Sequence, residues 1–151
     1  MALDPIRLLR SIEHVHGHLG WLAAAVLVHP AVVLRNRTRR AHYAVGLATA
    51  FVTVAAGIGA WLYIGYRERL KQGIFQTAPS VGLLFERKEH LAFGAVVLAW
   101  AGAVAYFAAP RATAEMRTTL RTIAFRSFAS SAVLAVIVAV LGTVVAVYRT
   151  F

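Results

Sequence analysis

The sequence contains no cysteine, and only six of its 151 residues are acidic. Without thiols the chain cannot form disulfides, thiolate-held iron–sulfur clusters or a covalent c-type haem, and it cannot use thiol catalysis. The few acids face 16 Lys and Arg residues, which gives a formal charge of +10. These basic residues lie between apolar runs. We therefore interpret them as membrane-flanking anchors and partners of anionic lipid, and we expect no nucleic-acid partner.

Apolar residues are abundant: they make up 60% of the chain, and the mean hydropathy is +0.67. Four apolar runs approach or exceed the ~20 residues that a helix needs to cross a bilayer. The sequence thus predicts an all-α, integral membrane four-helix bundle that forms a single domain, 1–151. The expected helices are about 5–34, 41–66, 89–109 and 113–148.

Four crossings place both termini on one side of the membrane, which we name side A; the opposite side is side B. Asp4 and Pro5 form a cap followed by a favoured first helical residue, so helix 1 is expected to start at Pro5. The semi-apolar segment between helices 2 and 3 is expected to lie in the membrane interface. Each side carries eight basic residues, but the segments on side B are shorter and denser in arginine. This pattern favours a cytoplasmic side B in a multi-pass protein of a bacterial-type inner membrane.

The six histidines fall at two depths. On side A are His14, His16 and His18 of helix 1 and His90 of helix 3, whereas His29 of helix 1 and His42 of helix 2 are near side B. His18 and His29 are 11 residues apart, which is close to three helical turns, so they point the same way about 16 Å apart. Transmembrane cytochromes b use such an arrangement to stack two haems across a bilayer.

Three of the histidines are followed by a glycine four residues later, on the same helix face. The pairs are His16 with Gly20, His42 with Gly46, and His90 with Gly94. A missing side chain beside an imidazole leaves room for a flat macrocycle. A histidine at a helix end can also be a simple interfacial polar residue, and this is the preferred interpretation of His14.

These patterns predict one or two haem b groups, each held between histidines at equal depth. At side A the expected ligands are His90 and either His18 or His16. At side B they are His29 and His42. Arginines suit the haem carboxylates; the candidates are Arg35, Arg37, Arg39 and Arg40 at side B, and Arg87 with Lys88 at side A.

The segment Glu13-His-Val-His16-Gly-His-Leu-Gly20 resembles the Glu-x-x-His-Arg-x-x-Gly motif of haem A synthases, with Gly17 in place of the arginine. More broadly the chain resembles the four-helix membrane cytochromes b. The resemblance implies haem ligands on alternate helices, His16 or His18 on helix 1 and His90 on helix 3. The expected function is electron transfer within or across the membrane, as an oxidoreductase or a respiratory-chain subunit, with quinone as a candidate partner.

Two alternatives remain open. Carboxylates such as Glu13 and Glu89, together with the side-A histidines, suit non-haem iron, copper or zinc in a metal-binding membrane enzyme. The small, Ala-rich helices also suit a cofactor-free accessory subunit that packs against other membrane subunits or forms a homo-oligomer. Tyr43 and Tyr106 near side B are interpreted as aromatic belt residues.

Overall fold

The computed structural model describes residues 5–69 and 71–147, with side chains described for 11–68 and 71–147. Within these ranges the protein is all-α, as expected, and has no strand. The elements are α1 (Pro5–Val33), α2 (His42–Arg69), α3 (Lys71–Thr77), α4 (Pro79–Ala108) and α5 (Ala114–Val147). A 3-10 turn, Ala109–Arg111, follows α4. All except α3 are long and apolar enough to cross a membrane.

The four long helices form a ring in the order α1, α2, α4, α5, and α5 packs back on α1. Each long helix therefore has two long neighbours in the described part of the chain, and α1 stands diagonally across the bundle from α4. This arrangement decides which side chains can meet, because a residue on α4 reaches α1 only through the interior.

Small residues allow the helices to approach closely in the side-B half of the bundle. Ala48, Ala95, Ala99 and Ala124 are all buried in one apolar cluster. Gly102 lies against the Phe128 ring, which is 2.9 Å from where a Cβ at Gly102 would be. Ser131 donates a hydrogen bond to the Ala95 carbonyl at 2.7 Å, which satisfies a hydroxyl that would be costly to bury alone. Alanine and glycine at such interfaces maximise close packing where water provides no driving force.

The segment between α2 and α4, which was expected to lie in the membrane interface, is helical and contains α3 and the first turns of α4. The structure begins α4 at Pro79, well before the expected start at residue 89. Proline is favoured in the first helical turn. The early start is also stabilised by packing: Phe75 of α3 lies directly against Gly82, and Val81 and Phe85 are buried.

Lys71 of α3 connects α3 to α4 on side A. Its ammonium donates to the Glu86 carboxylate at 2.7 Å. The hydrogen bond to Glu86 raises the pKa of Lys71. The charged residues 86–89 lie within the continuous helix α4. Their side chains therefore point in different directions around that helix.

Candidate functional site: a polar cleft at side A

The three side-A histidines of α1 point in different directions. His14 and His18 are exposed, whereas His16 turns towards the bundle interior and is half-buried. Its ring lies against α2 at Gly59, where a Cβ would be only 2.8 Å from the His16 Cε1 atom. The absence of a side chain at Gly59 thus leaves the space that the His16 ring occupies.

The polar contacts of His16 are incomplete. The ring makes a hydrogen bond with the Ala55 backbone, and it lies within electrostatic reach of Lys88 and Glu89. Its Nδ1 atom is buried and has no hydrogen-bond partner among the described residues. A buried nitrogen without a partner costs free energy, so an unmet nitrogen of this kind calls for a functional explanation.

Lys88 enters the same interior from α4. The residue is only 7% exposed, and its ammonium pairs with Glu89 at 3.2 Å. The ammonium also lies 4.5 Å from the centroid of the Phe85 ring, as a cation–π contact. Phe85 in turn stacks on Tyr66, with 3.9 Å between ring centroids. A lysine placed this deep in a membrane helix is a functional candidate by default.

His16 and Lys88 both line an open cleft of about 740 Å³ between α1 and α5. Gly17 and Gly20 form part of its α1 wall, and a Cβ at either would meet nothing within 4 Å. The Trp21 indole donates to the Thr143 hydroxyl at 3.3 Å and ties the two walls together. The remaining lining residues are Glu13, His14, His18, Val138, Ala139, Gly142 and Ala146.

Among the sequence-predicted ligands, the structure brings His16 and His18 to this cleft but not His90. His90 is exposed and its Nδ1 is hydrogen-bonded to the Glu86 carbonyl at 2.8 Å. It projects from α4 on the side opposite Ala95 and Ala99, which face the core. Since α4 is diagonal to α1, His90 and His18 do not face each other within the bundle. The space beside Gly94 is taken by Leu134, at 3.4 Å from a Cβ built there.

Continuous α1 carries His18 and His29 on one face, and both side chains are exposed. His18 opens onto the side-A cleft, whereas His29 is not among the residues that line it. Arg35, Arg39 and Arg87 are exposed as well.

His42 belongs to a different contact set at side B. Its ring stacks on Phe107, at 6.1 Å between centroids, and meets the Tyr106 ring edge-on at 5.4 Å. Gly46, one turn further on, lies on a groove between α2 and α4.

Tyr106 contacts residues of several elements at side B. It is completely buried, so its assignment to the aromatic belt was wrong, whereas Tyr43 is 88% exposed. The Tyr106 hydroxyl accepts the Ala41 N–H at 2.6 Å. The Arg121 guanidinium lies 4.5 Å above its ring and donates to the Arg39 carbonyl at 3.1 Å. The loop between α1 and α2 is thereby fixed to α5.

The alternative metal site, with Glu13, Glu89 and the side-A histidines, gains no support from this geometry. Glu13 lines the cleft, but Glu89 is engaged by Lys88. Over the part of the chain that the structure describes, no group of three or more His, Asp or Glu side chains is arranged to hold a metal ion.

The burial of Lys88 was missed at the sequence level, although a signal existed. Lys88 is seven residues from both Val81 and Ala95, so all three share one face of a helix that starts at Pro79. The resemblance to haem A synthases was drawn from residues 13–20 and from the four-helix architecture. No protein-family model, no curated protein and no solved structure matches the chain.

Proposed function

We propose that this protein is a membrane-embedded b-type haem protein that carries electrons and holds its haem in the side-A cleft. The observation that supports this most is the buried Nδ1 of His16, which has no hydrogen-bond partner in the described part of the chain, in a residue that lines an open cleft. The cleft volume falls within the range of cofactor pockets, roughly 300–1,000 Å³. His14 and His18 line the same cleft.

The small side chains of the cleft suit a flat, rigid ligand. Gly17 and Gly20 leave open space on the α1 wall, and Ala139, Gly142 and Ala146 keep the α5 wall low. Lys88 is the cation that lines this cleft, which makes it the candidate partner of a haem carboxylate. A bound haem would supply one-electron redox chemistry at a potential set by its ligands and surroundings.

The chain itself would orient the His16 ring as a haem ligand. The hydrogen bond to the Ala55 backbone and the gap at Gly59 define the position of the His16 ring. A second hydrogen bond on the far nitrogen of an imidazole is the usual way in which proteins orient a metal ligand. Membrane quinone is a candidate electron partner, since both would share the bilayer.

Optical spectra of the purified protein, oxidised and dithionite-reduced, test the proposal directly. We expect a haem b spectrum from the wild type and its loss in His16→Ala. Gly17→Leu should also abolish haem binding, because leucine would fill the cleft without meeting any protein atom near its Cβ. The matched control is Gly46→Leu, which fills open space elsewhere. A wild type that takes up no haem when haem is supplied would overturn the proposal.

A second candidate is a cofactor-free subunit of a larger membrane assembly. It is favoured by His29 and His90, whose exposed imidazoles lie outside the side-A cleft, where a further subunit or a second copy could cover them. Ionisable groups facing hydrocarbon are costly, so coverage would stabilise them. A stable, haem-free protein that co-purifies with one defined membrane partner would favour this candidate over the haem protein.

A further inference from the structure

A second concave surface lies between α2 and α4, away from the side-A cleft. It is a groove of about 860 Å³ that is open to the outside of the bundle. Most of its lining is apolar, with Gly46, Ala50 and Val54 on α2, and Trp100, Val104 and Phe107 on α4. The groove ends at Arg111, in the short turn that follows α4 at side B.

The few polar side chains of the groove wall are already engaged with one another. Trp100 donates its indole N–H to the Thr53 hydroxyl at 3.1 Å. The Thr53 and Thr49 hydroxyls donate to backbone carbonyls one turn earlier. A ligand in the groove therefore meets hydrocarbon rather than free hydrogen-bonding groups, and the matching ligand is an apolar chain.

The groove has the length of one lipid leaflet. From Trp100 to Arg111 is 11 residues, which corresponds to about 16 Å of helix. Half of a hydrocarbon core is about 15 Å. An acyl chain that extends from a headgroup at side B to the membrane centre would span this distance.

The mouth of the groove carries the positive charge of Arg111. Arg111 uses one guanidinium nitrogen to donate to the Phe107 carbonyl at 3.1 Å, which holds the group at the end of the groove. Eight arginines lie on side B, against a single acid, Glu115. In the described ranges, the ion pairs Lys71–Glu86 and Lys88–Glu89 both lie on side A. Because arginines outnumber acids eight to one on side B, anions from outside the chain can neutralise most of this charge.

We propose that this groove binds one anionic phospholipid, with an acyl chain between α2 and α4 and the phosphate at Arg111. A guanidinium matches phosphate oxygens through paired N–H donors. Basic pockets between membrane helices recognise lipid headgroups in this way. The site goes beyond the proposed haem function and does not depend on it.

Native mass spectrometry of the purified chain in detergent tests the site. The probes are phosphatidylglycerol and phosphatidylcholine with identical acyl chains. We expect phosphatidylglycerol to be retained about tenfold better, because both headgroups carry the phosphate but the choline ammonium of phosphatidylcholine cancels its net charge beside Arg111. Arg111→Gln should remove that preference, and Gly46→Leu should lower binding of both lipids because it fills the groove.

Two control variants separate the groove from other effects. Arg126→Gln removes an exposed side-B arginine outside the groove, and Gly17→Leu fills the side-A cleft instead; both should keep the lipid preference. Equal retention of the two lipids by the wild type would overturn the proposal. So would an equal loss in Arg126→Gln and Arg111→Gln, which would indicate a diffuse surface charge, or displacement of phosphatidylglycerol by inorganic phosphate or by a neutral isoprenoid quinone. Haem content is a separate readout, and its loss or retention does not bear on this outcome.

Discussion

Gly59 of α2 and His16 of α1 are in direct contact, and a Cβ at Gly59 would come within 2.8 Å of the imidazole ring. Two residues earlier, Gly57 is open, with nothing within 4 Å of a Cβ. The same helix thus contains one glycine that the cleft histidine requires and one that it does not.

Substitution of Gly59 by alanine should destabilise the protein. Placing a methyl group against the His16 ring forces the ring or the helices to move, at a cost of about 1–3 kcal/mol. Gly57→Ala is the matched control and should be neutral or slightly stabilising, because alanine favours the helix. Thermal unfolding in detergent, followed by circular dichroism, checks both. Equal stability of the two variants would contradict the contact between Gly59 and His16.

Lys88→Met should separate stability from cofactor binding. Methionine replaces the buried stem without a charge to desolvate, so unfolding of the haem-free protein should be unchanged or somewhat harder. Glu89 is left about one third exposed and keeps its solvation. If Lys88 pairs with a haem carboxylate, haem affinity falls about tenfold, the loss of one charged hydrogen bond.

Arg87→Met serves as the control for Lys88, because Arg87 is the exposed neighbour that was predicted from sequence to serve the same purpose. Haem titration of the three proteins gives the comparison. A larger loss in Arg87→Met than in Lys88→Met would assign the carboxylate to the outer surface and contradict the placement in the cleft.

The four long helices were predictable because hydropathy over about 20 residues reports what a bilayer requires, whatever the tertiary contacts are. The start of α4 was not predictable in this way. Residues 86–89 look like a solvated helix end, and only the packing of Phe75 on Gly82 and the burial of Lys88 show that the helix runs through them. The direction of each histidine also depends on which helices are neighbours. Sequence spacing placed His18 and His29 on one face, but it could not tell that His18 would line a cleft against α5 and that His29 would not.

Tyr106→Phe should loosen the side-B end of the bundle. The substitution keeps the ring beneath Arg121 but removes the oxygen that accepts the Ala41 N–H. A buried N–H left without an acceptor costs about 1–3 kcal/mol. Tyr43→Phe is the control, since Tyr43 is exposed and should be neutral within about 0.5 kcal/mol. Comparable unfolding of the two variants would show that the Ala41 contact contributes nothing to stability.

The orientation in the membrane follows from the dense arginines of side B, which should face the cytoplasm. A reporter fused to the C-terminus, on side A, should then report the opposite side of the membrane. Substitution of two arginines in the 35–40 loop by glutamine should weaken the preference of side B for the cytoplasm. The same substitution at Arg117 and Arg126 tests whether α5 contributes to the orientation. A cytoplasmic signal from the C-terminal fusion of the unaltered protein would reverse the assignment.

The number of haems per chain decides whether electrons could cross the bilayer within this protein. The sequence predicted a second haem between His29 and His42. In the structure, however, the His42 ring is in contact with Tyr106 and Phe107, and His29 points away from the bundle. We therefore expect one haem per chain, retained in His29→Ala and His42→Ala and lost in His16→Ala. Pyridine haemochrome analysis against protein concentration measures this ratio. Two haems per chain that fall to one in His29→Ala would restore the side-B site, and with it a path for electrons from one face of the membrane to the other.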